Sequence, residues 1–352
     1  MEKNKKENPY SLMFGKEPQQ MISRIAQKEE VIDSFLAEIP SQMVYMITGV
    51  RGSGKTVFMT DIQNRLKKEK DWIVVQLNPQ RDLLSGLLSK LCDDSTLMKM
   101  LKSAKINLSF FGVGLTVNSS NSPITDVEVA LSRVIEQVKK QGKRILVAID
   151  EVSNNENVRI FAAAYQILIQ QDLPVYLSMT GLYDNIYNLQ NEKTLTFLYR
   201  APKIHLLSLN TGSMSASYRR SLGVSEEDAR TMAQLTKGYA FAFQVLGYYT
   251  YLSDGNFLSS IGQVRLYLEE YVYEKIWSEL SAKDREILYL LANHPSGKVM
   301  ELREMLNLKP NEFGPYRDRL IRKGLIDGSV RGQISFALPF FSEYVLDKMN
   351  QM

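Results

Sequence analysis

The chain has 352 residues, with 43 Lys and Arg against 39 Asp and Glu, a formal net charge of +4. With 44% hydrophobic and 23% charged residues it has the make-up of a folded globular chain and is too apolar for a disordered one. One cysteine (Cys92) and two histidines (His205 and His294) exclude a disulfide framework and a His/Cys metal cluster.

Taken in chain order, residues 1–20 are polar and are expected to be either frayed or draped over the first domain. Apolar spacing from Met21 to Leu36 (Ile25, Val31, Ile32, Phe35, Leu36) predicts a helix. A β-like run, 43–48, precedes a glycine-rich turn and a helix to about Lys70. Trp72–Leu77 reads as a buried strand and Asp82–Leu101 as a helix. In the stretch 106–117 Ile106, Leu108 and Phe110 alternate with polar residues, as do Val113, Leu115 and Val117 after Gly112, which predicts a β-hairpin insertion at about 106–118. Further on come helix Asp126–Lys140, strand Arg144–Ile149, helix Val158–Gln171 and strands Val175–Met179 and Ile204–Leu209. Short apolar strands alternating with helices predict an α/β fold with a parallel sheet covered on both faces. From 210 the pattern turns helical: about 212–221, 225–236, 239–253 and 260–277.

The sharpest motif is Gly49-Val50-Arg51-Gly52-Ser53-Gly54-Lys55-Thr56, with Val57 following. It fits G-x-x-x-x-G-K-[ST] between a predicted strand and a predicted helix. Glycines let the backbone curl so that N–H groups face a phosphate, and the helix N-terminus adds positive potential. Lys55 suits the β- and γ-phosphates, and the Thr56 hydroxyl suits Mg²⁺. Asp150 and Glu151 end the apolar strand 145–149, at the sheet edge where open α/β folds bind ligands. Asp150 is placed to hold Mg²⁺, and Glu151 to polarise an attacking water. Three weaker candidates accompany them. Ser178 or Thr180, at the end of the next strand, is suited to the γ-phosphate or its water, and Arg200 to a nucleotide on a neighbouring subunit. Arg51 suits either a phosphate or solvent.

The last 70 residues read as helix from Ser281, a short helix Val299–Leu306, a third helix Asn311–Lys323 closed by Gly324, then strand, turn and strand. That order is a helix-turn-helix with a β-wing. Arg317, Arg319, Arg322, Lys323 and Arg331 are its candidate DNA contacts. From Lys298 to Arg331 there are eight basic and five acidic residues, a net +3 out of the whole chain's +4.

Together, the loop 49–56, the strand 145–151, the helical stretch and the C-terminal helices resemble the AAA+ ATPases of the origin-recognition/Cdc6-like branch, closest to the archaeal ATPase family. Met21-Ile22-Ser23-Arg24 with Glu29-Glu30 is similar to the family's opening motif, Ser23 replacing its glycine. Thr236-Lys237-Gly238-Tyr239 is similar to the start of the lid helix, Ala240 replacing its proline. The resemblance implies an AAA+ P-loop core at 21–210, a helical lid at 211–279 and a winged helix at 280–352. It also implies an ATP-driven or ATP-gated switch; with the candidate DNA contacts of the C-terminal module, the leading reading is a Mg²⁺-dependent ATPase, converting ATP and water to ADP and phosphate, that binds double-stranded DNA. The alternative is a nucleotide-gated scaffold whose winged helix docks a protein. A homo-oligomer or a protein partner is expected with either. No apolar run reaches the roughly 18–20 residues of a membrane span, and a cytoplasmic protein with no membrane association is expected.

Overall fold

The computed structural model describes residues 7–13, 18–93, 97–99, 101, 106–111 and 124–351. They form two compact units: Ile25–Thr48 with Lys55–His205, and the residues up to Arg24 with Gly49–Gly54 and everything from Leu206 onward.

The first unit runs α1 (Ile25–Leu36), β1 (Val44–Thr48), α2 (Lys55–Leu66), β2 (Trp72–Leu77), α3 (Leu83–Cys92), α4 (Val127–Lys140), β3 (Arg144–Ile149), α5 (Glu156–Gln170), β4 (Val175–Gly181), α6 (Tyr183–Gln190), α7 (Thr196–Tyr199) and β5 (Lys203–His205). Its sheet is wholly parallel, in the order β2-β3-β4-β1-β5. Every residue of β1 and β4 is buried, as are Ile145–Ile149 of β3, which is why these strands read as unbroken apolar runs. Leu87, Leu91, Val134, Phe161 and Leu168 from the flanking helices complete one hydrophobic core. Asp82 and Asp126 cap α3 and α4 by accepting backbone N–H bonds.

Several predicted boundaries move inward. The second helix ends at Leu66, the third breaks after Cys92 with residues 97–99 and 101 helical again, and the fifth strand, Lys203–His205, keeps only Ile204 and His205 of the run expected to reach Leu209. The predicted hairpin is not begun. Ile106 and Leu108 are buried, and Ser109–Phe111 is a 3₁₀ turn instead of a strand. Residues 112–118, where its second strand was expected, lie outside the described residues.

The second unit contains α8 (Thr211–Leu222), α9 (Glu226–Leu235), α10 (Ala240–Leu252), α11 (Phe257–Leu268), a π turn (Glu269–Tyr273), α12 (Glu274–Ser278), α13 (Ala282–Asn293), α14 (Val299–Met305), α15 (Pro310–Arg322), an antiparallel ribbon of β6 (Ile326–Asp327) and β7 (Ser335–Phe336), and α16 (Phe341–Asn350). The lid and the C-terminal helices, expected as separate modules, share one hydrophobic cluster that extends from Met214 to Val345. Tyr273, at the π turn, joins them: its ring packs on Phe341 and Tyr344, and its hydroxyl donates to the Pro339 carbonyl at 2.5 Å.

The N-terminal arm also differs from expectation. Tyr10 is 2% exposed and sits edge-on to Phe243, with its hydroxyl 2.7 Å from that of Ser221. Asn8 donates to the Tyr248 carbonyl at 3.1 Å. One aromatic side chain in a polar stretch thus anchors the arm in the helical unit, not on the sheet unit.

Candidate functional site: the strand tips and the glycine loop

In the first unit the register ends with Ile149 beside Met179, and the residues that follow on the two chains, Asp150 and Thr180, are joined by their side chains. On the other side of β4, Ile47 of β1 lies opposite Thr180. Sheet geometry therefore brings together side chains from three chain segments. Thr56, in the first turn of α2, donates its hydroxyl hydrogen to Asp150 Oδ2 at 2.7 Å. Thr180 donates to Asp150 Oδ1 and accepts the Glu151 N–H at 3.1 Å. Glu151 N–H also lies 3.1 Å from Asp150 Oδ1, and Val152 N–H donates to the Thr180 carbonyl at 2.8 Å. Glu151 has φ +53°, a left-handed conformation costing a non-glycine residue about 1–2 kcal/mol. Its side chain is exposed, while Thr180 is fully buried.

Ser178 lies one pleat earlier on the same strand face. It is fully buried, and its hydroxyl has no partner among the described residues. It does not join the strand-tip network as Thr180 does. Arg200 stands exposed just after α7, with no hydrogen bond or ion pair to the strand-tip residues. Sequence reading missed Thr48 and His205. They end the adjacent strands β1 and β5, and Thr48 Oγ1 lies 3.1 Å from His205 Nδ1. Burial, with the Lys55 charge adding to it, holds the His205 pKa below its ordinary value. The signal available was a polar residue closing each of two apolar runs.

The glycine loop packs within the second unit. Gly52 has φ +76°, and a Cβ there would lie 2.2 Å from the Tyr239 hydroxyl, so only glycine fits. Tyr239 donates that hydroxyl to the Arg51 carbonyl at 2.6 Å, and Phe241 N–H donates to the Gly52 carbonyl at 3.1 Å. The Arg51 side chain, expected at a phosphate or in solvent, instead pairs with Glu279 at 3.1 Å. Arg24 donates to the Ser53 and Leu207 carbonyls, both at 3.0 Å, and burial pulls its pKa down to about 10. Gly49, Val50, Ser53 and Gly54 complete the curl, closed by Ser53 N–H donating to the Val50 carbonyl at 3.1 Å. Val57, one residue after Thr56, lies half-buried in the first turn of α2.

Two of the five expected DNA-contacting side chains, Arg317 and Arg319, have partners within the protein. Arg319 donates to Asp284 Oδ1 at 2.6 Å and lies over the Tyr316 ring, 5.1 Å from its centroid. Asp284 is 1% exposed and closes the capping box of α13 with Ser281. Arg317 donates to the Gly328 carbonyl at 3.3 Å and pairs with Asp318. These two arginines hold α15 to its neighbours because they occupy its inner flank. Arg331 is exposed beside the ribbon, and Lys323 caps α15 ahead of Gly324, whose φ of +74° is the left-handed stop expected there. Arg322 ends the helix.

The five-stranded parallel sheet, in the order β2-β3-β4-β1-β5 with helices against it, is the fold of AAA+ P-loop proteins. Residues 32–171 match the family model described as an ATPase domain predominantly from Archaea. Residues 270–345 match a model described as a domain of unknown function. No curated protein matches the chain at a significant level. Among solved structures, the chain is similar to the Walker-type ATPase paby2304 of Pyrococcus abyssi, with TM-score 0.61 and 16% identity over 93% of this chain and 96% of that one. It is also similar to the ORC2 protein of Aeropyrum pernix, solved as ADPNP–ADP complexes, with TM-score 0.58 and 14% identity over 96% of each chain. Among the described residues no helix is long and apolar enough to cross a membrane.

Proposed function

We propose that the chain is a Mg²⁺-dependent ATPase that hydrolyses ATP to ADP and phosphate and binds duplex DNA through its C-terminal helices and ribbon, read as a winged helix. The observation carrying the ATPase half is the hydrogen-bonded set of Thr56, Asp150, Thr180 and Glu151 at the strand tips. Its oxygen donors, the Thr56 hydroxyl and the Asp150 carboxylate, suit a hard cation that keeps water and phosphate oxygens in its remaining positions. Mg²⁺, when bound, supplies charge neutralisation to the phosphates. Lys55 adds a point charge to the β- and γ-phosphates, and Glu151 accepts a hydrogen bond from the attacking water. Lys55→Ala is expected to lose nucleotide binding and turnover. Glu151→Gln is expected to keep ATP while phosphate release falls by roughly 10²–10⁴-fold. Wild-type turnover in both variants would sink the proposal.

The DNA half rests on the order helix, helix, helix, ribbon and on the local surplus of basic residues. A second reading, in which these helices dock a protein, is favoured by one observation: Arg317 and Arg319 are turned to Gly328 and Asp284. Anisotropy of a labelled duplex over a salt series separates the two. The DNA reading expects the logarithm of the binding constant to fall linearly with that of salt concentration. Absence of binding at low salt selects the protein-docking reading.

A further inference from the structure

The side chains that hold α6 and α7 in the sheet unit are Ile186, Leu189, Leu195 and Leu198, each at most 1% exposed. The tyrosines of the same stretch are left over from that packing. Tyr187 is 50% exposed and Tyr199 65%. Tyr183 and Tyr187, one turn apart on α6, stack with ring centroids 5.8 Å apart and planes 29° from parallel. Gln190, the last residue of α6, donates to the Leu198 carbonyl at 2.8 Å and so ties that helix to the turn carrying Tyr199. Aromatic rings held open to solvent on fixed elements are platforms for other flat groups, and every nucleic-acid base has a π face.

The charges around these rings are uncommitted. Lys193, Arg200 and Lys203 are exposed and make no ion pair among the described residues. Lys203 lies instead over the Tyr199 ring, 5.6 Å from its centroid. Residues 183–203 hold two acids, Asp184 and Glu192. Glu192 accepts from the Asn154 amide at 3.2 Å, and Asp184 stands in the first turn of α6, where a carboxylate complements the helix dipole. Cations without carboxylate partners complement phosphates, and open rings complement bases. Only a single strand offers both, because the bases of a duplex are already stacked on one another.

We propose that α6, α7 and the start of β5 form a binding surface for single-stranded nucleic acid. Tyr187 and Tyr199 stack on bases, and Lys193, Arg200 and Lys203 pair with phosphates. The inference stands apart from the ATPase reading and from duplex binding by the C-terminal helices.

The test is the anisotropy of labelled oligothymidylate and oligouridylate titrated with the full chain over a salt series. Tyr187→Leu and Tyr199→Leu keep apolar bulk but remove the ring, and each is expected to weaken binding roughly 5–150-fold, the worth of one base stack. Tyr187→Phe and Tyr199→Phe keep the ring and should bind like wild type. Lys193→Gln and Lys203→Gln should each reduce the salt slope by roughly 0.7 unit. Circular dichroism and urea midpoints report that the variants fold. Arg331→Ala, in the other unit, should leave oligothymidylate binding unchanged. Binding of either polymer through these residues supports the inference, and the two polymers tell DNA from RNA. Absence of binding by both at low salt overturns it, as does unchanged affinity in folded Leu variants. So does a loss in the Phe variants equal to that in the Leu variants. If the Leu variants dissociate an oligomer seen by sizing while oligothymidylate affinity stays put, the surface joins copies of the chain and the inference falls. If Arg331→Ala weakens the single strand and the lysine variants do not, the strand binds at the C-terminal ribbon and the inference falls likewise.

Discussion

The tips of β3 and β4 and the helix α15 both drew notice for the residue types they carry, and the fold treats them in opposite ways. At the strand tips, parallel pairing delivers Asp150, Glu151 and Thr180 side by side, and α2 adds Thr56 to the same cluster. Along α15, basic residues follow one another too, but a helix distributes consecutive side chains around its circumference. Two of them therefore point inward. Arg319 meets the buried Asp284, and Arg317 meets the Gly328 carbonyl. Polar residues at the ends of neighbouring strands are brought into one hydrogen-bonded cluster by the sheet itself. A count of like charges does not say which of them reach solvent.

That contrast is open to direct test. Asp284→Ala should give the largest effect, because it removes both the capping box of α13 and the partner of Arg319. Breaking a buried ion pair costs roughly 3–5 kcal/mol, and the lower end applies where one member keeps access to water. Arg319 is 37% exposed, so a loss near the lower end is expected in urea unfolding. Arg319→Ala should destabilise less, since water can reach the acid it uncovers. Should Arg319→Ala leave stability untouched yet weaken duplex binding, the inward assignment of that arginine would be wrong. Arg331→Ala is the matching surface substitution. Its effect on stability should stay within about 0.5 kcal/mol, while a duplex-binding protein should lose about one unit of salt slope.

Much of the sheet unit was legible in the sequence, for a physical reason. A strand buried on both faces must be apolar throughout, as Ile145–Ile149 is, and the mostly apolar edge strand Trp72–Leu77 stands out too, both with the bounds the structure gives them. The loop 49–56 and the acids at 150 and 151 stood out in the sequence as a proposed phosphate site because phosphate chemistry constrains residue type and spacing together. Three things were not. The bonding of Thr180 to Asp150 and Glu151 depends on cross-strand register, which a single strand's sequence does not specify. The merging of the lid with the C-terminal helices depends on which apolar faces meet, as with Tyr273 against Phe341, and periodicity shows only that such faces exist. The anchoring of the N-terminal arm turns on Tyr10, one aromatic residue in a segment whose average composition is polar.

The smallest effect concerns a residue that composition singles out only by rarity. His205 is one of two histidines, and it closes β5 beside Thr48 at the end of β1. Burial comes first and the charge of Lys55 second in holding its pKa below the ordinary 6.5. In the window between the folded value and 6.5 the unfolded chain therefore binds more protons than the folded one. Unfolding free energy must then rise with pH across that window. The contribution is fully present above 6.5 and is lost as the pH falls toward the folded value. Urea unfolding at a series of pH values should show this slope in the wild type, and His205→Gln should flatten it while keeping a group able to bond to Thr48. An unchanged slope in His205→Gln would mean that this histidine is hydrated like a surface group. The burial assigned to His205 at the end of β5 would then have to be given up, although the acid cluster at the tips of β3 and β4 would stand.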